Sequence, residues 1–372
     1  MLMNFCSGPL VACGVAKAQI SMAATNNLEL PAGSKAILAM SGGVDSAVTA
    51  MLLAGKGIEL VGATMAHKKC DQEQDLADAK AICDKLGIQH IVINIVDEYE
   101  LFLQKVRSIY AAALTPNPCV LCNAEMKFGL FFEKVMATLP TSWTNAYWVS
   151  GHYARVIQKG GLYYLAKGLY HEKDQSYFLY RLGQDILKRL RFPLGLMANK
   201  TETRELASQF NLPVKEKLDS QDFCLGPEEL RPQNEATVRL VDSNGKFLKE
   251  GKGFSHYTIG QRRGLGVASL QPLYVSKLNY QTNEVVLATN AELFSDNFTV
   301  KNATFVAEPN FPFTSELKVR SSTRTITGLI DKIDDTIYVK LDKPERALTP
   351  GQSAVFYDDD VVIGGGEIIF TQ

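Results

Sequence analysis

The apolar run "KAILAM" leads straight into "SGGVDS" at residues 41–46, and the helix-favouring stretch "AVTAMLLAGKG" follows without a gap. A strand that passes through a glycine-rich turn into a helix gathers unpaired backbone N–H groups at the positive end of the helix dipole. Gly42 and Gly43 let the backbone approach a ligand, and Ser41 and Ser46 can donate hydrogen bonds to phosphate oxygens. This junction therefore predicts a strand, loop and helix that together bind an anion.

Asp45 is the unexpected member of this loop, because a carboxylate by itself repels phosphate. It predicts a bridging Mg²⁺ ion, an N-cap role at the start of the helix, or both. The loop lacks the Gly-x-x-x-x-Gly-Lys-Ser/Thr pattern of a P-loop and the Gly-x-Gly-x-x-Gly pattern of a dinucleotide site. A tight turn before a capped helix would have the same sequence, so the loop alone does not separate a plain turn from a different phosphate site.

Strands and helices alternate over the first half of the chain. "IELVGATM" and "HIVINIV" are typical of buried strands, "AYWVSGHYA" predicts another, and a helix with one apolar face ends at Gly87. This alternation predicts a parallel sheet covered by helices on both faces, with ligands bound beyond the carboxyl ends of its strands.

The pattern changes near residue 224 to short strands separated by turn sequences, which predicts a small β-rich module followed by a barrel. We therefore expect a first, α/β domain at 35–223, a central β-rich domain at 224–287, and a β-barrel at 288–372. Residues 1–34 show no periodic pattern. We expect a disordered extension there, or a start of translation at Met22.

The composition excludes some classes of protein. Hydrophobic residues make up 46% of the chain and charged residues 21%, as in ordinary globular proteins, and a net charge of -1 gives no overall attraction to nucleic acid. Any RNA-binding surface must therefore be local. No apolar run reaches the roughly 20 residues of a membrane-spanning helix, so no membrane partner is expected. Seven cysteines without secretory features predict a reducing compartment, and we expect the cytoplasm.

A Cys-x-x-Cys motif lies in "TPNPCVLCNAEMKFG". Prolines stiffen this loop, and Asn123 is placed to cap a helix that begins with "AEMKFG". A cysteine just before a helix N-terminus has a stabilised thiolate, so Cys122 is a candidate nucleophile. A zinc half-site would need a second Cys-x-x-Cys motif, which the sequence lacks, whereas a redox disulfide between Cys119 and Cys122 fits the spacing.

A third loop cysteine, Cys224, lies among acidic and amide side chains in "KEKLDSQDFCLGPEE", unlike a buried structural thiol. Cys83, by contrast, lies on an apolar helix face and is expected in the core. The three loop cysteines fit a nucleophile with its resolving partner. They fit equally well three ligands of an iron–sulfur cluster with one iron left open.

Three further segments carry side chains suited to nucleotides or RNA. In "SGHYAR", His152 ends a predicted strand, where such a residue is most often structural but is also placed to meet a phosphate. In "EKDQSYFLYRL", an amide and Tyr177 could hydrogen-bond to and stack on an extruded base. Adjacent arginines in "HYTIGQRRGLG" suit contacts to the RNA backbone. The candidate RNA-binding residues are Lys173, Asp174, Gln175, Arg262 and Arg263.

Taken in order, these motifs resemble those of the tRNA-specific 2-thiouridylase (MnmA) family. SGGVDS alone is shared across the ATP-pyrophosphatase group, which includes several small-molecule synthetases. "TPNPCVLCNAEMKFG", "GHYAR", "KDQSYFL", "DSQDFC" and "YTIGQRRGLG" then follow in the family's order. The resemblance implies an α/β fold, with a parallel-sheet, adenine-nucleotide hydrolase-like (ATP-pyrophosphatase) catalytic domain at 35–223 followed by a small β-rich domain and a C-terminal β-barrel. It also implies that the central β-rich domain, at 224–287, binds tRNA.

The resemblance also implies a reaction. ATP adenylates the C2 oxygen of the wobble uridine of tRNA, and sulfur then displaces AMP to give 2-thiouridine. The implied cofactors are ATP and Mg²⁺, and the implied sulfur source is a persulfide donor (a cysteine desulfurase or a sulfur-relay protein) or sulfide. The ATP-binding residues implied by position are Ser41, Gly42, Gly43, Asp45, Ser46, Met65 and Gly151, with Asp45 as the Mg²⁺ ligand.

The family's pattern assigns the cysteines too. Cys224 matches the cysteine that carries a persulfide, and Cys122 matches the partner that closes a disulfide with it as sulfide is released. Many members have an aspartate, assigned as a general base, where this chain has Cys119. A thiol with a reference pKa of about 8.5 is a poor substitute for a carboxyl group at about 3.9. Cysteine is a good cluster ligand, so Cys119, Cys122 and Cys224 could instead hold a [4Fe–4S] cluster whose open iron delivers sulfide.

Two other classes compete with this interpretation. An amidotransferase-type synthetase acting on a small molecule would leave the loop cysteines and the arginine-bearing β module unexplained. A non-catalytic tRNA-binding or iron–sulfur protein would leave the intact SGGVDS loop unexplained.

Overall fold

The computed structural model describes residues 29–67, 72–210, 226–322 and 324–370. Most of the predicted N-terminal extension, residues 1–28, lies outside the described residues. The strands are β1 (Lys35–Ala39), β2 (Glu59–Ala66), β3 (Gln89–Asn94), β4 (Tyr147–Val149), β5 (Ala154–Lys159), β6 (Leu162–Lys167), β7 (Leu190–Arg191), β8 (Val238–Asp242), β9 (Phe247–Gly251), β10 (Tyr274–Asn279), β11 (Glu284–Ala288), β12 (Phe294–Phe305), β13 (Phe313–Lys318), β14 (Ile326–Ile333), β15 (Thr336–Arg346), β16 (Ser353–Asp358) and β17 (Val361–Ile369). The helices are α1 (Val44–Leu53), α2 (Glu73–Leu86), α3 (Val96–Ala111), α4 (Pro118–Leu121), α5 (Phe131–Thr138), α6 (Gln184–Leu187), α7 (Lys200–Gln209) and α8 (Pro227–Leu230), and a π-helical segment, Cys122–Leu130, joins α4 to α5.

A parallel sheet in the order β3-β2-β1-β4-β7 forms the core of the first half of the chain. Its strands are apolar at successive positions because both faces are covered. Ile37 packs in the core on one face, whereas Ala36 and Leu38 pack in the core on the other. Helix α2 ends as expected at Gly87, which takes the left-handed conformation. The predicted α/β sheet is confirmed.

The order of the strands reverses next to β1. After β1 the chain forms β2 and β3 on one side, then returns to place β4 on the other side, with Leu38 opposite Val149. Open α/β sheets bind ligands in the crevice at such a switch point, outside the carboxyl ends of the strands. The SGGVDS loop and the segment after β4 both start from this crevice.

The second half of the described chain is made of β-strands, as predicted. One sheet has the order β10-β11-β8-β9, and strands β12 to β17 close into an antiparallel barrel because β12 pairs with both β15 and β17. The hairpin β5–β6, which the sequence places in the catalytic domain, extends the sheet of the barrel, with Ala166 opposite Val361. The first domain and the barrel therefore share one sheet. Within the described ranges, no helix is long and apolar enough to cross a lipid bilayer.

Candidate active site

The SGGVDS loop is held in shape by its own serines. Ser46 Oγ donates a hydrogen bond to the Gly43 carbonyl at 2.9 Å, and Ser41 Oγ donates to Ser46 Oγ at 3.2 Å. Gly43 is the N-cap residue of α1, so the N-cap role considered for Asp45 is wrong, because Asp45 lies in the first turn of the helix. Gly42 has a φ of 73°, a conformation that favours glycine.

Two glycines permit close packing around this loop. A Cβ atom on Gly42 would lie 2.3 Å from the carbonyl oxygen of Asp75 on α2. A Cβ atom on Gly151, after β4, would lie 2.9 Å from the Asp45 carbonyl carbon and 3.1 Å from the Ser46 nitrogen. The structure therefore brings Gly151 against the SGGVDS loop, across the switch point. Met65 lies near the carboxyl end of β2, at the same edge of the sheet.

Asp45 is bound by side chains from two distant segments. Lys200 Nζ donates to Asp45 Oδ1 at 2.6 Å, and the Tyr153 hydroxyl donates to the same oxygen at 3.0 Å. The Tyr153 hydroxyl also shares a hydrogen bond of 3.0 Å with Thr203 Oγ1 on α7. Sequence reasoning missed Lys200 because 155 residues separate it from Asp45. The local signal at that position, an Asn199 side chain that caps α7, indicates only where the helix begins.

His152 and Arg155 do not offer positive charge to a phosphate. Burial lowers the pKa of His152 to about 3, and nearby Lys127 contributes in the same direction, so the imidazole is neutral at pH 7. Its ring packs against Phe128 and Phe192, and its Nδ1 lies 2.8 Å from Ser150 Oγ. The buried Arg155 guanidinium pairs with Asp360 of the barrel at 3.0 Å. The structural interpretation of His152 therefore holds.

The neutral state of the half-buried His152 predicts loss of stability in acid. The unfolded chain takes up a proton near the ordinary histidine pKa of about 6.5, whereas the folded chain does not, so stability falls as the pH drops from about 6.5 towards 3. Between pH 7.5 and 5.5 we expect His152 to contribute a loss of about 1 kcal/mol. Thermal unfolding of wild type and His152→Gln at both pH values checks this. The variant should lose less stability, exposed His171→Gln should behave as wild type, and equal losses in all three would contradict the prediction.

The helix that carries the Cys-x-x-Cys motif begins before Cys119, earlier in the chain than the sequence suggested. The Asn117 side chain caps α4 by accepting the N–H groups of Cys119 and Val120 at 3.1 and 3.2 Å, so the capping role predicted for Asn123 is wrong. Asn123 is buried, and its amide donates to the Phe178 carbonyl at 3.3 Å. Cys119 therefore lies in the first helical turn, half-buried, and Cys122 lies buried one turn later, where the π-helical segment begins.

A loop of the barrel holds the segment before these cysteines. The Thr115 N–H donates to the Pro350 carbonyl at 2.9 Å, and Gln352 Nε2 donates to the carbonyls of Thr115 and Pro116 at 2.9 and 3.2 Å. Gly351 has a φ of 92°, and a Cβ atom there would lie 2.8 Å from the Thr115 nitrogen. The position of residues 115–122, the cysteine loop, thus depends on the connection between β15 and β16.

Asp174 is buried at the junction with the barrel. It accepts hydrogen bonds from the Gly168 and Ser176 N–H groups and from Ser176 Oγ, and it pairs with Lys318 of β13 at 3.0 Å. Only 2% of the Asp174 side chain and 4% of that of Lys318 are exposed. The predicted tRNA contact does not fit this environment, because the carboxylate cannot reach solvent and its oxygens already accept hydrogen bonds within the protein.

Breaking this buried pair should destabilise the protein strongly. Lys318→Met leaves the Asp174 carboxylate without its counter-ion in a low dielectric, and we expect a loss of about 3–5 kcal/mol in the free energy of unfolding. Lys332→Met is the matched control, because it breaks a solvent-exposed pair with Glu308 and should cost less than about 1 kcal/mol. Urea unfolding of both variants measures the difference. Equal losses would show that the buried pair has no special role.

The other predicted RNA-binding residues have different environments. Gln175 is fixed to the backbone of Tyr153. Its side-chain Oε1 accepts a hydrogen bond from the Tyr153 N–H at 2.9 Å, and its backbone N–H donates to the Tyr153 carbonyl. Tyr177 is buried and donates to the Ser353 carbonyl of the barrel, so it does not stack on a base as considered from the sequence. Lys173, Arg262 and Arg263 are exposed, the arginines in the central β-rich domain.

Two of the three candidate cluster ligands are described. Cys119 and Cys122 lie one helical turn apart, which fits two ligands of one cluster. Cys224, with the rest of the "DSQDFC" motif, lies outside the described residues. In the part of the chain that the structure describes, no group of three or more His, Cys, Asp or Glu side chains could hold a metal ion. Mg²⁺ that is bound to phosphate oxygens usually takes one or two carboxylate ligands from the protein, and Asp45 can supply one of them.

Three family models match the chain in succession: "tRNA methyl transferase HUP domain" at residues 34–228, "tRNA methyl transferase PRC-barrel domain" at 228–289 and "Aminomethyltransferase beta-barrel domain" at 295–368. The tRNA-specific 2-thiouridylase MnmA of Carboxydothermus hydrogenoformans is 38% identical over 368 residues, which cover 90% of this chain and 97% of that protein. The chain belongs to the tRNA-specific 2-thiouridylase (MnmA) family. The MnmA protein of Nostoc punctiforme is 36% identical over 90% of the chain and 98% of its own length.

Solved structures with partial likeness to this MnmA-family chain include a 4-thiouridine synthetase–RNA complex with bound ATP, at a TM-score of 0.37 and 20% identity over 56% of the chain and 48% of the synthetase. An NMN synthetase from Francisella tularensis gives a TM-score of 0.34 and 21% identity over 51% of the chain and 67% of the synthetase.

Proposed function

We propose that the chain is an ATP-dependent tRNA-uridine 2-sulfurtransferase, which converts the wobble uridine of tRNA to 2-thiouridine and releases AMP and pyrophosphate. The observation that carries the proposal is the meeting of the SGGVDS loop with Gly151 at the switch point of the parallel sheet. Membership of a family whose curated relatives are named tRNA-specific 2-thiouridylases supports the choice of substrate and reaction.

In the first step, the phosphates of ATP bind the N–H groups of the SGGVDS loop, and the adenosine lies beside Met65. Mg²⁺ held by Asp45 would neutralise charge on the departing pyrophosphate. The C2 oxygen of the uridine attacks the α-phosphate, and the bond from that phosphorus to the oxygen bridging the α- and β-phosphates breaks. Pyrophosphate leaves with the electron pair, and C2 now carries AMP, a good leaving group.

In the second step, sulfur replaces AMP at C2. The Cys122 thiolate attacks the Sγ atom of a persulfide on Cys224, the bond between the two persulfide sulfurs breaks, and sulfide attacks C2 as AMP departs. A disulfide between Cys122 and Cys224 remains, and an external thiol must reduce it. A persulfide donor protein, such as a cysteine desulfurase or a sulfur-relay protein, reloads Cys224. In the alternative route, a [4Fe–4S] cluster held by Cys119, Cys122 and Cys224 would supply sulfide from its open iron.

The tRNA would lie across the first and central domains. Exposed Lys173, Arg262 and Arg263 suit contacts to backbone phosphates, which supply most of the affinity of a protein for nucleic acid without reading its sequence. Gln175 lies two residues from Lys173 and stays a candidate contact near the target base.

The test is mass-spectrometric quantification of 2-thiouridine in unmodified tRNA incubated with the protein, ATP, Mg²⁺ and a sulfur source. Anaerobically reconstituted protein is compared with protein stripped of iron. Thiolation only after reconstitution supports the cluster route, and equal thiolation by iron-free protein with a persulfide donor supports the disulfide route. Release of AMP without tRNA, and with no 2-thiouridine formed, would overturn the proposal in favour of a small-molecule synthetase.

A further inference from the structure

We propose that Lys200, which pairs with Asp45, is also a phosphate-binding residue of the nucleotide site and exchanges the carboxylate for the phosphates as nucleotide binds. The inference rests on the proposed function, because it takes the SGGVDS loop as the binding site of the ATP phosphates. It adds to that phosphate-binding site a residue from a different segment, the first residue of α7.

The backbone of Lys200 is fixed beside the loop. Asn199 caps α7 by accepting the Glu202 N–H at 3.0 Å, and the Glu202 carboxylate accepts the Ala198 N–H at 3.1 Å. One turn into the helix, Thr203 is fully buried and shares its hydrogen bond with Tyr153. The ammonium, in contrast, sits at the end of a flexible four-carbon chain and can change partner without any movement of the helix.

The negative charge of the loop favours a second cation beside the bound phosphates. Asp45 is the only charged side chain in SGGVDS, and its sign repels phosphate. Lys200 Nζ lies 2.6 Å from Asp45 Oδ1 and cancels that charge. Asp45 is 35% exposed and Lys200 13% exposed, so an incoming ligand can reach both partners. With magnesium and nucleotide present, each partner finds a new opposite charge, the carboxylate on the metal and the ammonium on the phosphates.

Tyr153 eases this exchange. Its hydroxyl donates to Asp45, and Lys200 Nζ donates to the same hydroxyl at 3.4 Å. Lys200 Nζ also lies 5.4 Å from the centroid of the Tyr153 ring, within the range of a cation–π attraction. The ammonium therefore keeps a favourable neighbour while it leaves the carboxylate.

A purely structural ion pair would behave differently. If Lys200 and Asp45 only held α7 against α1, removal of either partner would impair the site in the same direction. If Lys200 binds phosphate, the two removals have opposite effects on anion binding in the absence of Mg²⁺. Loss of Lys200 removes an attraction, whereas loss of the Asp45 charge removes a repulsion and releases the lysine.

The experiment is calorimetric titration of the full-length protein with inorganic pyrophosphate, and separately with ATP, in EDTA without Mg²⁺. Lys200→Gln and Asp45→Asn are the test variants, because each keeps a polar group of similar size. Lys80→Gln and Asp84→Asn are the matched controls, since they remove the two halves of an exposed lysine–aspartate pair on α2 and change the net charge equally.

We expect Lys200→Gln to raise the dissociation constant for pyrophosphate about ten- to a hundred-fold. Asp45→Asn should lower it about three- to tenfold, and the controls should change it less than about twofold. Unchanged pyrophosphate binding by Lys200→Gln overturns the role of Lys200. If that variant fails to fold, the double variant Asp45→Asn/Lys200→Gln, which leaves no unpaired charge, replaces it and should bind pyrophosphate more weakly than Asp45→Asn. Weaker or unchanged binding in Asp45→Asn, with wild-type protein binding both ligands, overturns the role of Lys200 alone. A wild-type protein that binds neither ligand, with or without Mg²⁺, overturns the proposed function as well.

Discussion

Replacing Cys122 with serine is expected to lower tRNA thiolation by about a thousand-fold or more, because a hydroxyl neither attacks a persulfide nor binds iron as a thiolate does. Release of pyrophosphate in the presence of tRNA should continue for one turnover, since the SGGVDS loop is untouched, whereas AMP should stay on the uridine because no sulfide displaces it. Mass spectrometry of 2-thiouridine and chromatography of pyrophosphate measure the two steps separately. Thiolation within tenfold of wild type would remove Cys122 from the mechanism.

Cys83→Ala is the matched control for this experiment. The Cys83 side chain is fully buried in the apolar core, as predicted from its helix face, and burial raises its pKa to about 11. Its thiol is therefore not a nucleophile at neutral pH, and the variant should thiolate at nearly the wild-type rate.

A further variant, Cys119→Asp, distinguishes the two sulfur routes. It places at this position the acid that the family resemblance implies as a general base and should retain activity on the disulfide route, but it removes a ligand on the cluster route.

Asp45→Asn is expected to reduce tRNA-dependent release of AMP and pyrophosphate by about a hundred-fold or more, because an amide binds Mg²⁺ far more weakly than a carboxylate does. The measurement is AMP formed per minute at saturating ATP over a range of Mg²⁺ concentrations. Asp84→Asn, which changes an exposed aspartate on α2, should leave the rate unchanged. Normal AMP release by Asp45→Asn would show that the loop does not use this carboxylate for catalysis.

Local sequence patterns predicted the elements that depend on neighbours in the chain. The strand, glycine loop and helix at residues 35–53 and the helix end at Gly87 follow from spacing and backbone preference, so they could be read directly. The start of α4 could also have been found, because Asn followed by Pro118 is a common N-cap and first-residue pair.

Long-range partners could not be predicted in this way. Lys200 and Asp45 are 155 residues apart, and Asp174 and Lys318 are 144 residues apart, so no local pattern links them. The same limit explains why the buried environment of Asp174 was not foreseen. An acid between a lysine and a glutamine in a loop resembles an RNA-binding surface until a strand of the barrel covers it.

The contact between the barrel and the cysteine loop has a consequence for protein synthesis. Gln352, whose side-chain amide donates to the Thr115 carbonyl, follows Thr115 by 237 residues. Pro350, whose carbonyl accepts the Thr115 N–H, is synthesised just before Gln352. The parallel sheet can form on the ribosome long before then, since domains generally fold as they emerge. The segment that carries Cys119 and Cys122 acquires these hydrogen bonds only after residues 350–352 have been synthesised. A nascent chain thus forms the SGGVDS loop before the barrel can position the segment that holds the two thiols.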